Sequence, residues 1–250
     1  MSKINVNTWE PESSTALTMG ATGDTTTVPS GASLVVASGA TINITGATQT
    51  GFPSSGFTRL HIPATGDYTV PASVSKIVVE VQGGGGGGGG GHYPGGYGSG
   101  GSAGAYALKS LSVTAGDVIA VVVGVGGNGY AGGGNGTVGG TSSFTDDGAA
   151  FTAVSCTGGG IGKYDADPDA GGVASGGDIQ VDGMRGTSAS GGNFMGSPSM
   201  LGFAGPRLGT TTGAAKASTG YGAGGTGAYS VVNGIGEPGR VGIVIVWEYK

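Results

Sequence analysis

Charge is scarce in this chain: only 10% of its 250 residues are Asp, Glu, Lys or Arg, and the formal net charge is −5. That excludes the basic footprint on which nucleic-acid binding depends. Aromatic residues make up 7%, so a core of bulky side chains can serve only part of the volume. Cysteine occurs once, at Cys156, which excludes an intrachain disulfide and a thiolate metal site built from one chain. In the apolar segment 151–157 this residue reads as a small buried hydrophobe. Long apolar runs are missing too. The longest, near 118–125, is far too short to span a bilayer, and the opening residues Met1-Ser-Lys-Ile-Asn-Val-Asn-Thr-Trp-Glu10 carry no apolar stretch of a secretory signal. The expectation is a chain neither exported by that route nor inserted in a membrane.

What the chain has instead is glycine, 61 residues of it, nine of them uninterrupted at 83–91. Glycine loses the most backbone entropy on ordering and brings no side chain to bury. With ten prolines added, the composition is that of a low-complexity segment, and a flexible linker is one reading of the run. The other is an extended threefold helix of the polyproline II kind, whose backbone groups point outward and can bond to neighbouring strands. The run is entered directly from the strand-like Lys76-Ile-Val-Val-Glu-Val-Gln82 and is followed by His92, Tyr93 and Tyr97, which favours the ordered reading. Further runs at 132–134, 158–160 and 171–172 could supply the neighbours.

Residues 1–50 are rich in Thr, Ser and Ala, with Ser-Gly-Ala-Ser at 30–33 echoed by Ser-Gly-Ala-Thr at 38–41. Strands this short bury their apolar faces by stacking on copies, as in an intertwined three-chain stem, or as a hairpin laid on the next domain. Gly51 to Gly56 reads as a hinge. This places an N-terminal attachment or stem segment at 1–52 and a glycine-rich domain at 53–250. Strands are expected at 57–62, 67–70, 76–82, 105–113, 118–125, 141–144 and 151–157. Thr114-Ala-Gly-Asp117 suits a hairpin turn between two of them. In the last strand, 240–249, Val241, Ile243, Ile245, Trp247 and Tyr249 share one face, the mark of a strand central to a sheet. The fold class is all-β: a short β stem, then a β-sandwich-like domain with extended polyglycine II-type segments and loops.

An ordered series of motifs carries a resemblance. It runs from Phe57 and Tyr68-Thr-Val-Pro71 through Val74 to Gln82 into the glycine run, then Ala105 to Asp117, Val121-Val-Val-Gly-Val-Gly-Gly127, Gly139-Gly-Thr-Ser-Ser-Phe144, Tyr221-Gly-Ala-Gly-Gly225 and Gly236 to Trp247. Together these resemble the glycine-rich domain of phage tail fibre and receptor-binding proteins, over residues 57–250. Residues 1–50 are similar, more loosely, to N-terminal segments of fibre proteins in marine phages. The resemblance implies a homotrimeric virion fibre or tail tip, made in the host cytoplasm. It implies recognition of a bacterial surface glycan or outer-membrane protein, with the N-terminus joined to other tail proteins.

Several motifs compete with that reading. Gly124-Val-Gly-Gly-Asn-Gly129 fits a dinucleotide fingerprint, but Tyr130-Ala-Gly-Gly-Gly-Asn-Gly136 cannot form the helix whose N-terminus would hold the pyrophosphate. Asp165, Asp167 and Asp169 alternate like calcium ligands, yet Ala170 stands where a calcium loop needs glycine, and a solvated acidic loop is the alternative. His61 and His92 have no companion nucleophile motif. No cofactor, metal or catalytic residue is expected; a polysaccharide depolymerase and a purely structural virion connector are the competing functions. The candidate receptor-binding residues lie in the inserts between glycine segments, taken as loops at the ends of rigid rods. They are Tyr164, Asp165, Met184, Arg185, Phe194, Met195, Met200, Phe203 and Arg207, with His92, Tyr93 and Tyr97 as a second group. The competing role for Phe194 and Phe203 is a small core capping the glycine layers.

Overall fold

The computed structural model describes residues 57–249 except 93, 147, 149–150, 190–193, 206–216 and 230–233, all within the unit Phe52–Lys250. The stem expected at 1–52, with its paired Ser-Gly-Ala motifs, lies outside the described residues, as do Tyr93 and Arg207. The described residues are all-β, and no helix forms among them.

Two five-stranded antiparallel sheets face each other. One has the order β1 (Phe57–Ile62), β12 (Ile243–Tyr249), β3 (Lys76–Gln82), β4 (Tyr106–Ser112) and β9 (Ile179–Val181). The other runs β2 (Gly66–Thr69), β5 (Val118–Val122), β6 (Ser142–Asp146), β7 (Val154–Cys156) and β8 (Ala174–Ser175). Alternation sends Ile77, Val79 and Val81 of β3 and Val244 and Val246 of β12 inward against Ile119, Val121, Phe144, Val154 and Cys156. Each such side chain contributes about 1.5–3 kcal/mol by burial. The expected central strand is β12, interior between β1 and β3. Its other face is apolar as well, so Ile243 and Ile245 are as buried as Val244 and Val246.

The turn at Thr114-Ala-Gly-Asp117 forms, with Gly116 at φ 90° and the Asp117 carboxylate accepting from the Thr114 amide at 2.9 Å. It does not join a hairpin. The strands on either side, β4 and β5, belong to different sheets, so the turn is a corner between layers. Turn chemistry encodes the reversal of the chain and leaves the partner to the core. The strand expected at 118–125 accordingly stops at Val122, because Gly124 already pairs in a different lattice.

That lattice is built by glycine. Along 83–91 the amides of Gly83, Gly86 and Gly89 donate to the carbonyls of Ala105, Ser102 and Ser99; those of Gly84, Gly87 and Gly90 to Gly140, Thr137 and Gly134; those of Gly85, Gly88 and Gly91 to Arg240, Glu237 and Gly234. Every third residue returns to the same neighbour, which is the threefold pattern of polyglycine II. The carbonyls follow the same rule, accepting from Gly159 and Gly162, from Gly127 and Tyr130, and from Gly225 and Ala228. Six rods therefore surround this one: 99–105, 134–140 and 234–240 antiparallel to it, 159–162, 127–130 and 225–228 parallel. The rod is ordered, and the linker reading is excluded.

Only glycine fits at its centre, since a methyl on Gly86, Gly87 or Gly88 would strike the carbonyl oxygen of Gly160, Asn128 or Thr226. A second rod, 98–105, is buried in the same way and contains Ser99 and Ser102. Their hydroxyls stand in for backbone groups: Ser99 Oγ accepts from the Lys163 amide at 2.7 Å, and Ser102 Oγ donates to Asp169 O. A net hydrogen bond contributes about 1 kcal/mol while ordering a residue costs about 1–2. The array therefore depends on close packing and on the sandwich, into which its rods continue without a break through β3, β4, β6, β7 and β12.

Candidate functional site

Because the rods enter the sandwich at one end, the turns that join them collect at the other. The turn 92–97 links rods 83–91 and 98–105, and the loop 164–168 follows rod 157–163. Nine residues at about 3.1 Å each put this tip about 28 Å from the sheet edge. The turn at 92–97 closes through reciprocal bonds between His92 and Gly96, at 3.1 and 2.9 Å. The Asp165 amide donates to Tyr97 O at 2.7 Å and so ties the two loops together. Asp165 takes φ 48°, and no other described non-glycine residue has a positive φ. A short polar side chain tolerates that left-handed region. At the neck of the loop Lys163 pairs with Asp169 at 2.5 Å.

Tyr97, Phe194 and Tyr229 form an aromatic cluster beneath the tip. Tyr97 and Phe194 stack at 5.4 Å between centroids, and Tyr229 meets them edge-on at 5.5 and 5.7 Å. Phe194 is 6% exposed, so it holds up the tip rather than presenting a surface. The Tyr164 ring lies over Gly96 and Gly133, where an added methyl would meet it. Beside the cluster opens a cavity of about 320 Å³ lined by Gly95, Tyr97, Asp165, Ala166, Asp167, Ser188 and Ala189. Residues of both candidate groups thus meet here, Tyr97 and Asp165 on its wall and His92 and Tyr164 on the neighbouring turns.

The other candidates stand elsewhere, which corrects the expectation that all the inserts are loops at the rod ends. Met184 and Arg185 belong to rod 183–187, where Met184 O accepts from the Ala103 amide near the sandwich. Met195 is likewise in a rod, its carbonyl accepting from Thr187. Met184 and Met200 line a separate cavity of about 110 Å³ with Tyr106, Val181 and Pro198, on the flank. Phe203 is in the short hairpin β10 (Gly202–Phe203) with β11 (Thr219–Gly220) and is 77% exposed; it caps no core. The rods also place Tyr229, Asp167 and Ser188 at the tip, residues not among the candidates. Tyr229 carried a signal, since it ends the small-residue run 222–228 as Tyr97 begins rod 98–105.

No group of three or more His, Cys, Asp or Glu poised for a metal occurs among the described residues. In the Asp165, Asp167 and Asp169 series the third carboxylate is engaged by Lys163. The Gly124-Val-Gly-Gly-Asn-Gly129 motif is an array rod, with Gly127 and Tyr130 donating to the central rod. Burial pushes the Cys156 thiol up to about 12, with Asp182 adding to the shift; it is held protonated at neutral pH and donates to Val81 O at 3.3 Å.

No curated protein matches the chain. The family profile described as a glycine-rich domain matches residues 62–249, a span that takes in the rod array and every strand of the two sheets except β1, of which it holds only Ile62. The chain belongs to the glycine-rich domain family.

Proposed function

We propose that this chain is a virion tail fibre or tail-tip protein of a bacteriophage, whose glycine array presents the tip loops to a receptor on the bacterial surface. One observation carries the reading: His92, Tyr97, Tyr164 and Asp165 sit on turns at the ends of rods that are hydrogen-bonded on every side. Groups held on so stiff a support lose little entropy on binding. The ordered motifs at 57–250 and the absence of a basic footprint agree with it. In this proposal residues 1–52 attach to other tail proteins and assemble a homotrimer, and no catalysis is involved. The purified chain should compete with phage for adsorption to host cells; undiminished adsorption at saturating protein would remove the receptor role.

A second reading, a structural connector, is favoured by the exposed apolar side chains away from the tip: Phe57, Leu60 and Tyr249 on the sheet edge, Met184, Met200 and Phe203 on the flank. Exposed apolar side chains of this kind suit a protein partner. Immunogold labelling of virions separates the two, since a receptor protein stands at a free tip and a connector at a joint.

A further inference from the structure

We infer that the tip cavity is a subsite for a single neutral sugar ring, which names the ligand class of the receptor role proposed above and rests on that role. The cavity, about 320 Å³, lies at the lower end of small-molecule sites. It takes one ring and is too small for a folded loop of a protein receptor.

Its lining is of two kinds. Among the lining residues Asp165 and Asp167 carry carboxylates, while Tyr97, Ala166 and Ala189 carry aromatic and methyl groups. A pyranose has the matching division, with C–H groups over its faces and hydroxyls around its rim. Carboxylates are the strongest neutral-hydroxyl acceptors a protein offers, and charge-assisted bonds are about twice as strong as neutral ones. Neither carboxylate has an ion-pair partner among the described residues, because Lys163 is engaged by Asp169. Among the described residues no Lys or Arg lines the cavity, so an acidic sugar or a phosphate would meet the two carboxylates with no facing cation among them. A lysine side chain of a protein receptor would satisfy the carboxylates but leave a ring-sized apolar space unfilled.

The site is also preorganised. The hydrogen bond from the Asp165 amide to Tyr97 O and the Lys163–Asp169 pair fix its loop, and Tyr97 is clamped against Phe194 and Tyr229. Little of the binding energy is then spent on ordering.

Saturation-transfer NMR on the full chain tests this with four probes: methyl galactoside, N-acetylglucosamine, glucuronate and N-acetyl-lysine methylamide. At least one neutral sugar should receive saturation at millimolar concentration, and glucuronate should not. The double variant Asp165→Asn and Asp167→Asn, in which Asn keeps the left-handed backbone at position 165, should weaken neutral-sugar binding about tenfold with an unchanged melting temperature. Three results each overturn the inference: no transfer to either neutral sugar, equal binding by the double variant, or transfer to the lysine amide alone. The two proposals fail separately. A chain that blocks adsorption but binds no neutral sugar keeps the receptor role and loses this site. A chain that binds the sugar in this cavity but does not affect adsorption keeps the site and loses the role.

Discussion

The hydroxyl of Tyr68 on β2 donates to the carboxylate of Glu248 on β12 at 3.0 Å, joining the two sheets across the end of the core. Glu248 is 6% exposed, so this phenol is the donor that makes its burial tolerable. Burial, the hydrogen bond and the carboxylate's charge all hold the Tyr68 hydroxyl well above its ordinary value, and the same causes, through Glu80, act on Tyr106.

Stability should therefore fall at alkaline pH. A raised folded pKa means that stabilisation is complete below about 10, the unfolded tyrosine value, and is lost as pH rises beyond it, where the unfolded chain releases protons that the folded chain retains. Urea midpoints measured from pH 8 to 11.5 should decline above about 10. Tyr68→Phe should flatten part of the decline while lowering stability at pH 8 by about 1–3 kcal/mol, because it strands Glu248. A curve that stays level through this range would contradict the assignment.

Gly86→Ala should be severely disruptive, costing more than about 3 kcal/mol, since the methyl meets the backbone of a rod that is itself locked by neighbours. Gly66→Ala is the control: nothing lies within 4 Å of the added methyl, and the change should stay within about 0.5 kcal/mol. Calorimetry compares them directly, and equal melting temperatures would mean that the array does not pack as described.

Phe194 and Phe203 should part company. Phe194→Ala empties a buried aromatic contact and should cost about 3–5 kcal/mol, with faster amide exchange at Gly98 and Gly227, whose rods run from this cluster. Phe203→Ala, at a side chain 77% exposed, should leave exchange and melting unchanged. Hydrogen exchange read by mass spectrometry distinguishes the two.

Light scattering should give a mass near three times 23.7 kDa for the full chain, as expected if residues 1–52 assemble a trimer. A stable monomer would end that proposal.

Much of the sandwich was legible in the sequence because its strands are rich in valine and isoleucine: β3 could be drawn from its alternation, and β12 from a run that is apolar on both faces. The glycine run was legible as a rod but not as a neighbour. Nothing in Gly86 distinguishes Ser102 from Arg240 as the acceptor for its amide, since without a side chain there is no pattern to match; register comes only from where the flanking strands pair. The same blindness misplaced Met184 and Arg185. A short insert between glycines looks like a loop whether the chain reverses there or, as here, runs straight with its side chains facing solvent. Phe194 and Phe203 look alike in sequence, and only the approach of Tyr97 and Tyr229 decides which of them is covered.

A lattice in which direction repeats every third residue also has a phase. Adding one residue between Gly83 and Gly91 would rotate every later amide by about a third of a turn and aim it at the wrong rod. Adding three would restore the aim, provided the facing rods lengthened equally. At the turns no such rule applies, since a loop only has to leave one rod and enter the next. Such a molecule can vary freely in the length and lettering of its tips while its rods change, if at all, in steps of three.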